Sequence, residues 1–75
     1  MPHINVKCYP GRTEEQKKKL AEKITQDVIE ILGAKESNIS VSIQDIQPEK
    51  WKADVVEKEI LPNKDFLYKT PGYLE

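Results

Sequence analysis

Two short tracts of strict alternation flank one long stretch of helical spacing, and this order limits the folds open to the chain. In HINVKCY, residues 3–9, Ile4, Val6 and Cys8 share one face, and His3, Asn5 and Lys7 the other. In ISVSIQDI, residues 39–46, Ile39, Val41 and Ile43 alternate with Ser40, Ser42 and Gln44. Period-two patterning marks half-buried strands. Between them Leu20, Ala21, Ile24, Val28, Ile31 and Leu32 recur at helical spacing and form one apolar stripe. Pro10-Gly11 breaks the first strand. Thr13 with Gln16 three residues on makes a capping box, Glu14 and Glu15 favour the first turn, and Gly33 supplies a C-cap. The order is strand, helix, strand. Two strands joined by one helix run parallel, with a right-handed crossover expected. Gln47 to Trp51 reads as a turn, residues 52–61 as a second helix ended near Pro62, and residues 65–68 as a further short helix. Pro71-Gly72 reads as a stop.

A two-stranded sheet is marginal alone. The chain of 75 residues reads as one small domain with a thin core. Such scaffolds add disulfides, a metal or self-association. With one cysteine, Cys8, and one histidine, His3, neither an internal disulfide nor a His/Cys metal cluster can form. Oligomerisation is the remaining route. Twelve basic against thirteen acidic residues give no footprint for nucleic acid or for an anionic membrane surface. There is no apolar run long enough for a membrane span, and the N-terminal stretch lacks the form of a secretory signal. A soluble, cytoplasmic, reduced protein is expected. Lys17-Lys18-Lys19 reads as a solvated helix face near Glu14, Glu15 and Glu22.

Pro2 directly follows Met1 at the head of the first strand. A small second residue permits removal of the initiator methionine. Pro2 would then carry a free secondary amine. Terminal amines titrate near pH 8 in model peptides, and an apolar pocket or a nearby cation lowers that value. A neutral amine at physiological pH can serve as a general base. Proline at this position can also be a processing signal alone.

The surrounding residues add to this. Pro2, a short strand and Gly11-Arg12-Thr13-Glu14-Glu15-Gln16-Lys17 resemble the 4-oxalocrotonate tautomerase family. PHI at 2–4, IQPEKW at 46–51, EI and Pro62 at 59–62, and PGY at 71–73 are similar to its small dimeric bacterial phenylenolpyruvate tautomerase branch. The resemblance covers nearly the whole chain. It implies an α+β fold, a β-α-β subunit with an additional C-terminal helical segment and a sheet completed by oligomerisation. It implies enol–keto isomerisation of a 2-oxo acid with no cofactor, Pro2 as base, Arg12 on the substrate carboxylate and Trp51 as an aromatic wall. Each role has a physical basis: guanidinium grips carboxylate with paired hydrogen bonds, and an indole excludes water and keeps an amine neutral. Arg12 also reads as an exposed loop cation, Trp51 as core, and Tyr73 as a pocket wall or a docking point for the tail.

One departure matters. Dicarboxylate-specific members of the family carry a second arginine on the second strand, and alignment on Leu32-Gly33-Ala34 puts Ser40 there. Ser40 can donate one hydrogen bond to substrate, or sit at an interface, but it cannot neutralise a second carboxylate. A monoacid such as phenylenolpyruvate therefore suits the chain better than 2-hydroxymuconate. The KADVVEKEI segment after Trp51 lacks the glycine-rich hairpin of hexameric members, so a homodimer is expected, with a hexamer second. Cys8 reads as a buried structural thiol and His3 as a surface or subunit-interface residue. Two other readings stay open: a superfamily hydratase or dehalogenase, and a non-catalytic oligomeric binding module.

Overall fold

The computed structural model describes residues 1–74. Strand β1 spans His3–Cys8, helix α1 Glu14–Leu32 and strand β2 Ser40–Asp45, with a 3-10 turn at Glu36–Asn38 leading into β2. β1 and β2 pair in parallel, Ile4 beside Val41 and Val6 beside Ile43. The Ser40 N–H to the Pro2 carbonyl (3.2 Å) and the Ile46 N–H to the Cys8 carbonyl (2.8 Å) extend the ladder at each end.

Local chemistry fixes the ends of α1. The Gln16 N–H donates to Thr13 Oγ1 (3.1 Å), and the Thr13 N–H donates back to Gln16 Oε1 (2.9 Å). Two otherwise unpaired donors are thereby satisfied. At the other end Gly33 takes φ 70°, ψ 22°, and its N–H reaches the Ile29 carbonyl at 3.0 Å. Gly11, at φ 123°, makes the sharp exit from β1 that a side chain would resist.

α1 lies on the sheet face carrying Val6, Cys8 and Ile43, with Leu20 over them. Lys17 Nζ, 3.0 Å from Asp45 Oδ1, ties its first turns to the end of β2. The opposite face is polar and bonded across the strands. His3 Nδ1 and Ser40 Oγ share a hydrogen bond of 2.6 Å, and Asn5 Nδ2 donates to Ser42 Oγ and, at 3.0 Å, to Gln44 Oε1.

The C-terminal part departs from the sequence reading. Residues 47–51 are not a turn: helix α2 spans Pro48–Trp51, with Gln47 extended before it. Proline is favoured at the first helical position, where its missing N–H costs nothing, and Glu49 suits the first turn. α2 runs on as a π-helix, Lys52–Ile60, whose wider turn is seen in the Leu61 N–H bonded to the Val56 carbonyl at 2.9 Å. Lys7 Nζ anchors this segment to the sheet through Glu59, 2.6 Å away. 3-10 turns come next at Lys64–Phe66 and Gly72–Leu74, so Pro71-Gly72 opens a last turn rather than ending structure.

The core is thinner than the apolar stripe implies. Along α1, Ala21, Ile24 and Val28 are half-buried, whereas Leu20, Ile31 and Leu32 are exposed. A two-stranded sheet is too narrow to cover the whole stripe. Among the described residues only Val55, 5% exposed, is fully buried; Ile31 is 78% and Phe66 74% exposed. The shortest extent, 18 Å, accommodates one sheet layer and one helix layer.

Candidate active site

Strand β1 holds chemistry at both ends. At its C-terminal end, Tyr9 leaves the ladder and Gly11 turns the chain so that Arg12 faces back over the strand. Arg12 Nη1 donates to the Tyr9 carbonyl at 3.1 Å, which steadies the guanidinium and leaves its remaining N–H groups for a ligand. Trp51, at the end of α2, stands edge to face with Tyr9, centroids 5.3 Å apart and planes at 88°. Its indole Nε1–H donates to Tyr73 Oη at 3.2 Å. Lys7, Cys8, Tyr9, Arg12, Trp51 and Tyr73 border an open recess of about 370 Å³. Beyond the aromatic trio lies a second hollow of about 480 Å³, edged by Tyr9, Trp51, Lys52, Val56, Tyr73 and Leu74.

The charges in the recess differ in kind. Lys7 is paired with Glu59. Among the described residues no carboxylate pairs with Arg12. Arg12 is thus the cation open to an incoming carboxylate, whose geometry its fork matches. Below it Lys17 is held above the usual lysine range, chiefly by its hydrogen bond to Asp45. Cys8 is half-buried rather than buried, because the recess opens beside it; its Sγ reaches only the Gln44 carbonyl, at 4.0 Å.

Pro2 and Ser40 lie at the other end of β1. Pro2 is half-buried, and its carbonyl accepts from the Ser40 N–H. Ser40 Oγ is engaged with His3 on the polar face. Met1 is 95% exposed, and while it is present the Pro2 nitrogen is an amide without basicity. At about 3.3 Å per strand residue, Pro2 lies roughly 23 Å along the strand from Tyr9. One copy of the chain therefore brings Arg12 to Trp51 but brings neither to Pro2. Tyr9 and Lys7 were absent from the sequence-derived set. Their signal was weak: a tyrosine before Pro10-Gly11, and a lysine that alternation assigns to solvent.

The model of the family described as "Tautomerase enzyme" matches residues 2–59. The chain belongs to the tautomerase family. It is an isomerase of the kind its curated relatives are named for. Tautomerase PptA of Escherichia coli O127:H6 is 49% identical over 97% of each chain, and tautomerase PptA of Cronobacter sakazakii is 43% identical over the same shares. Among solved structures, YwhB, a homologue of 4-oxalocrotonate tautomerase, aligns with TM-score 0.60 and 46% identity, covering 61% of this chain and 75% of its own. A 4-oxalocrotonate tautomerase isozyme structure from Methylibium petroleiphilum aligns with TM-score 0.63 and 42% identity, covering 67% and 81%. The β-α-β architecture of this tautomerase is thus the family's. No helix among the described residues is long and apolar enough to cross a membrane.

Proposed function

We propose that this tautomerase interconverts the enol and keto forms of a 2-oxo monoacid with an apolar tail, of the phenylenolpyruvate type, at a site built by two copies of the chain. The observation that carries the reading is Arg12, without a carboxylate partner among the described residues, beside the Tyr9–Trp51 wall, at one end of a strand whose other end is Pro2.

The outer edge of β1 is unpaired in the two-stranded sheet, which favours pairing with another strand. Antiparallel pairing of two β1 strands about the Asn5–Val6 bond sets Pro2 of one copy opposite Tyr9 of the other. That places each Pro2 at the rim of the second copy's recess. A two-fold arrangement makes both sites at once, and the homodimer is the assembly we favour, in a cytoplasmic, reduced setting where Cys8 stays a thiol.

Removal of Met1 gives Pro2 its amine. Held against apolar wall and near the second copy's Arg12, that amine is biased toward its neutral form. Arg12 binds the carboxylate. The Pro2 nitrogen takes the proton of the enol hydroxyl, the oxygen electron pair closes the C2 carbonyl, and the enol double bond shifts its pair to C3. The protonated amine then returns one proton to C3, so it ends as it began. Ser40, beside Pro2, offers a hydroxyl already shared with His3 and no positive charge, which favours a single carboxylate on the substrate.

The test is ketonisation of phenylenolpyruvate, followed by ultraviolet absorbance, on protein whose mass shows loss of Met1. Protein that retains Met1, whose Pro2 nitrogen is an amide, should be slower by about a hundredfold or more, the scale of general base catalysis; Pro2→Ala, which after processing keeps a primary amine, should lose less. Activity should also fall at low pH as the amine protonates. Equal rates in processed and Met1-retaining protein would refute the terminal amine as the base.

A further inference from the structure

Tyr73 reaches the recess from a part of the chain outside the family match. The match ends at residue 59, and Tyr73 lies in the last 3-10 turn, Gly72–Leu74. Pro71 and Leu74, on either side of Tyr73, are half-buried, so the tail is docked rather than loose. The Leu74 N–H closes the turn on the Pro71 carbonyl at 3.2 Å. From there Tyr73 Oη accepts the indole N–H of Trp51, twenty-two residues away in sequence. Trp51 is in turn edge-on to Tyr9. The three rings form a continuous wall, and Tyr73 borders both hollows that the wall separates.

The hydrogen bond gives that contact a direction. An indole N–H has one donor to place and no acceptor. With Tyr9 fixing the ring by its edge and Tyr73 fixing the nitrogen, rotation of Trp51 about its side-chain bonds is restrained. The ring then stays at the border of the recess that Arg12 also lines. A ligand held by its carboxylate on Arg12 must lay the group attached to its carbon chain along this wall. An aryl group gains from it; a two-carbon tail does not reach as far.

We propose that Tyr73 is a specificity residue: by orienting Trp51 and closing the wall, it selects enol acids with an aryl tail over enol acids with a short one. The assignment rests on the reading of Arg12 and Trp51 as the substrate anchor and wall. Its contribution is to KM for the aryl substrate, because the tail is bound equally before and during proton transfer.

Two monoacid probes serve the test, phenylenolpyruvate and 2-hydroxypenta-2,4-dienoate, with wild type, Tyr73→Phe, Tyr73→Ala and protein that retains Met1. Tyr73→Ala should raise KM for the aryl probe roughly five- to tenfold, the scale of one aromatic contact. Its kcat/KM for the short probe should fall less, so that the ratio of kcat/KM for the aryl probe to that for the short probe drops roughly threefold or more. Tyr73→Phe, which keeps the ring and loses the acceptor, should recover part of the aryl preference. Equal loss on both probes would mean a merely structural tail, and no change on either would mean a bystander; each overturns the assignment. The Met1-retaining protein distinguishes the two levels. If it removes turnover of both probes, the site stands and the Tyr73 result is read alone. Unchanged turnover would show that the site itself is misread.

Discussion

Dilution should unfold this protein, and the size of the effect can be worked from its thin core. Only Val55 is fully buried among the described residues, while Leu20, Ile31, Leu32 and Phe66 stand exposed. A single copy has too little buried apolar surface to offset the conformational entropy of ordering its backbone. Stability must then come from association, and it becomes concentration-dependent. For a dimer, a hundredfold dilution removes about 2.7 kcal/mol. Two chains of 75 residues release about 0.3 kcal/mol/K on unfolding, at roughly 2.1 cal/mol/K per residue. The melting temperature should therefore fall by about 9 °C over that range. A hexamer loses five association terms spread over six chains, and the same dilution lowers it by about 14 °C. The assay is a thermal melt by circular dichroism at about 1 μM and about 100 μM chain, with activity measured at each concentration. A melting temperature independent of concentration would refute the reasoning, because it would mean that the chain is stable as a monomer. Activity that survives dissociation would refute the shared site as well.

Removing the Arg12 fork should weaken substrate binding while leaving the base intact. Arg12→Ala is expected to raise KM by about ten- to a hundredfold, the value of a charge-assisted hydrogen-bond pair, and Arg12→Lys to recover part of it through charge without the fork; initial rates over a range of phenylenolpyruvate concentrations decide. Lys17→Met should lower stability at neutral pH by removing the tie from α1 to Asp45. The Lys17 pKa is raised in the folded chain, so its contribution is complete below the unfolded lysine value, about 10.4, and is lost as pH rises through the folded value. Urea midpoints of variant and wild type should differ at about pH 7 and converge as pH rises through the folded Lys17 value; a gap of constant size would mean that Lys17 acts through packing and not through charge.

Much of the fold was legible because its signals are local. Alternation placed β1 and β2 to within a residue at each end, and Thr13, Gln16 and Gly33 marked the bounds of α1 through bonds made within one turn. Pro48 misled, since the same ring that ends a helix also opens one, and the next few residues settle which. The π-helical winding of Lys52–Ile60 had no sequence signature: Lys7–Glu59, which ties it to the sheet, joins residues fifty-two positions apart. The site was legible in part for the same reason. Arg12 follows a turn that glycine makes sharp, and Trp51 closes a short helix. The recess itself needed Tyr9 and Tyr73 from distant positions. The separation of Pro2 from Arg12 follows from strand length, and the proposed site that joins them needs a second molecule, which one sequence does not describe.

The polar face of the sheet limits how copies of the chain can meet. His3 with Ser40, and Asn5 with Ser42 and Gln44, bond to one another across the strands. A surface whose donors and acceptors already have partners gains little by meeting a copy of itself. Adhesion is left to the outer edges of β1 and β2 and to the bare apolar end of α1, where Ile31 and Leu32 stand. Attachment thus has a direction. Stacking sheet on sheet is unrewarded, so in the assembly proposed above copies are expected to meet by strand edges and helix ends and not by the polar face.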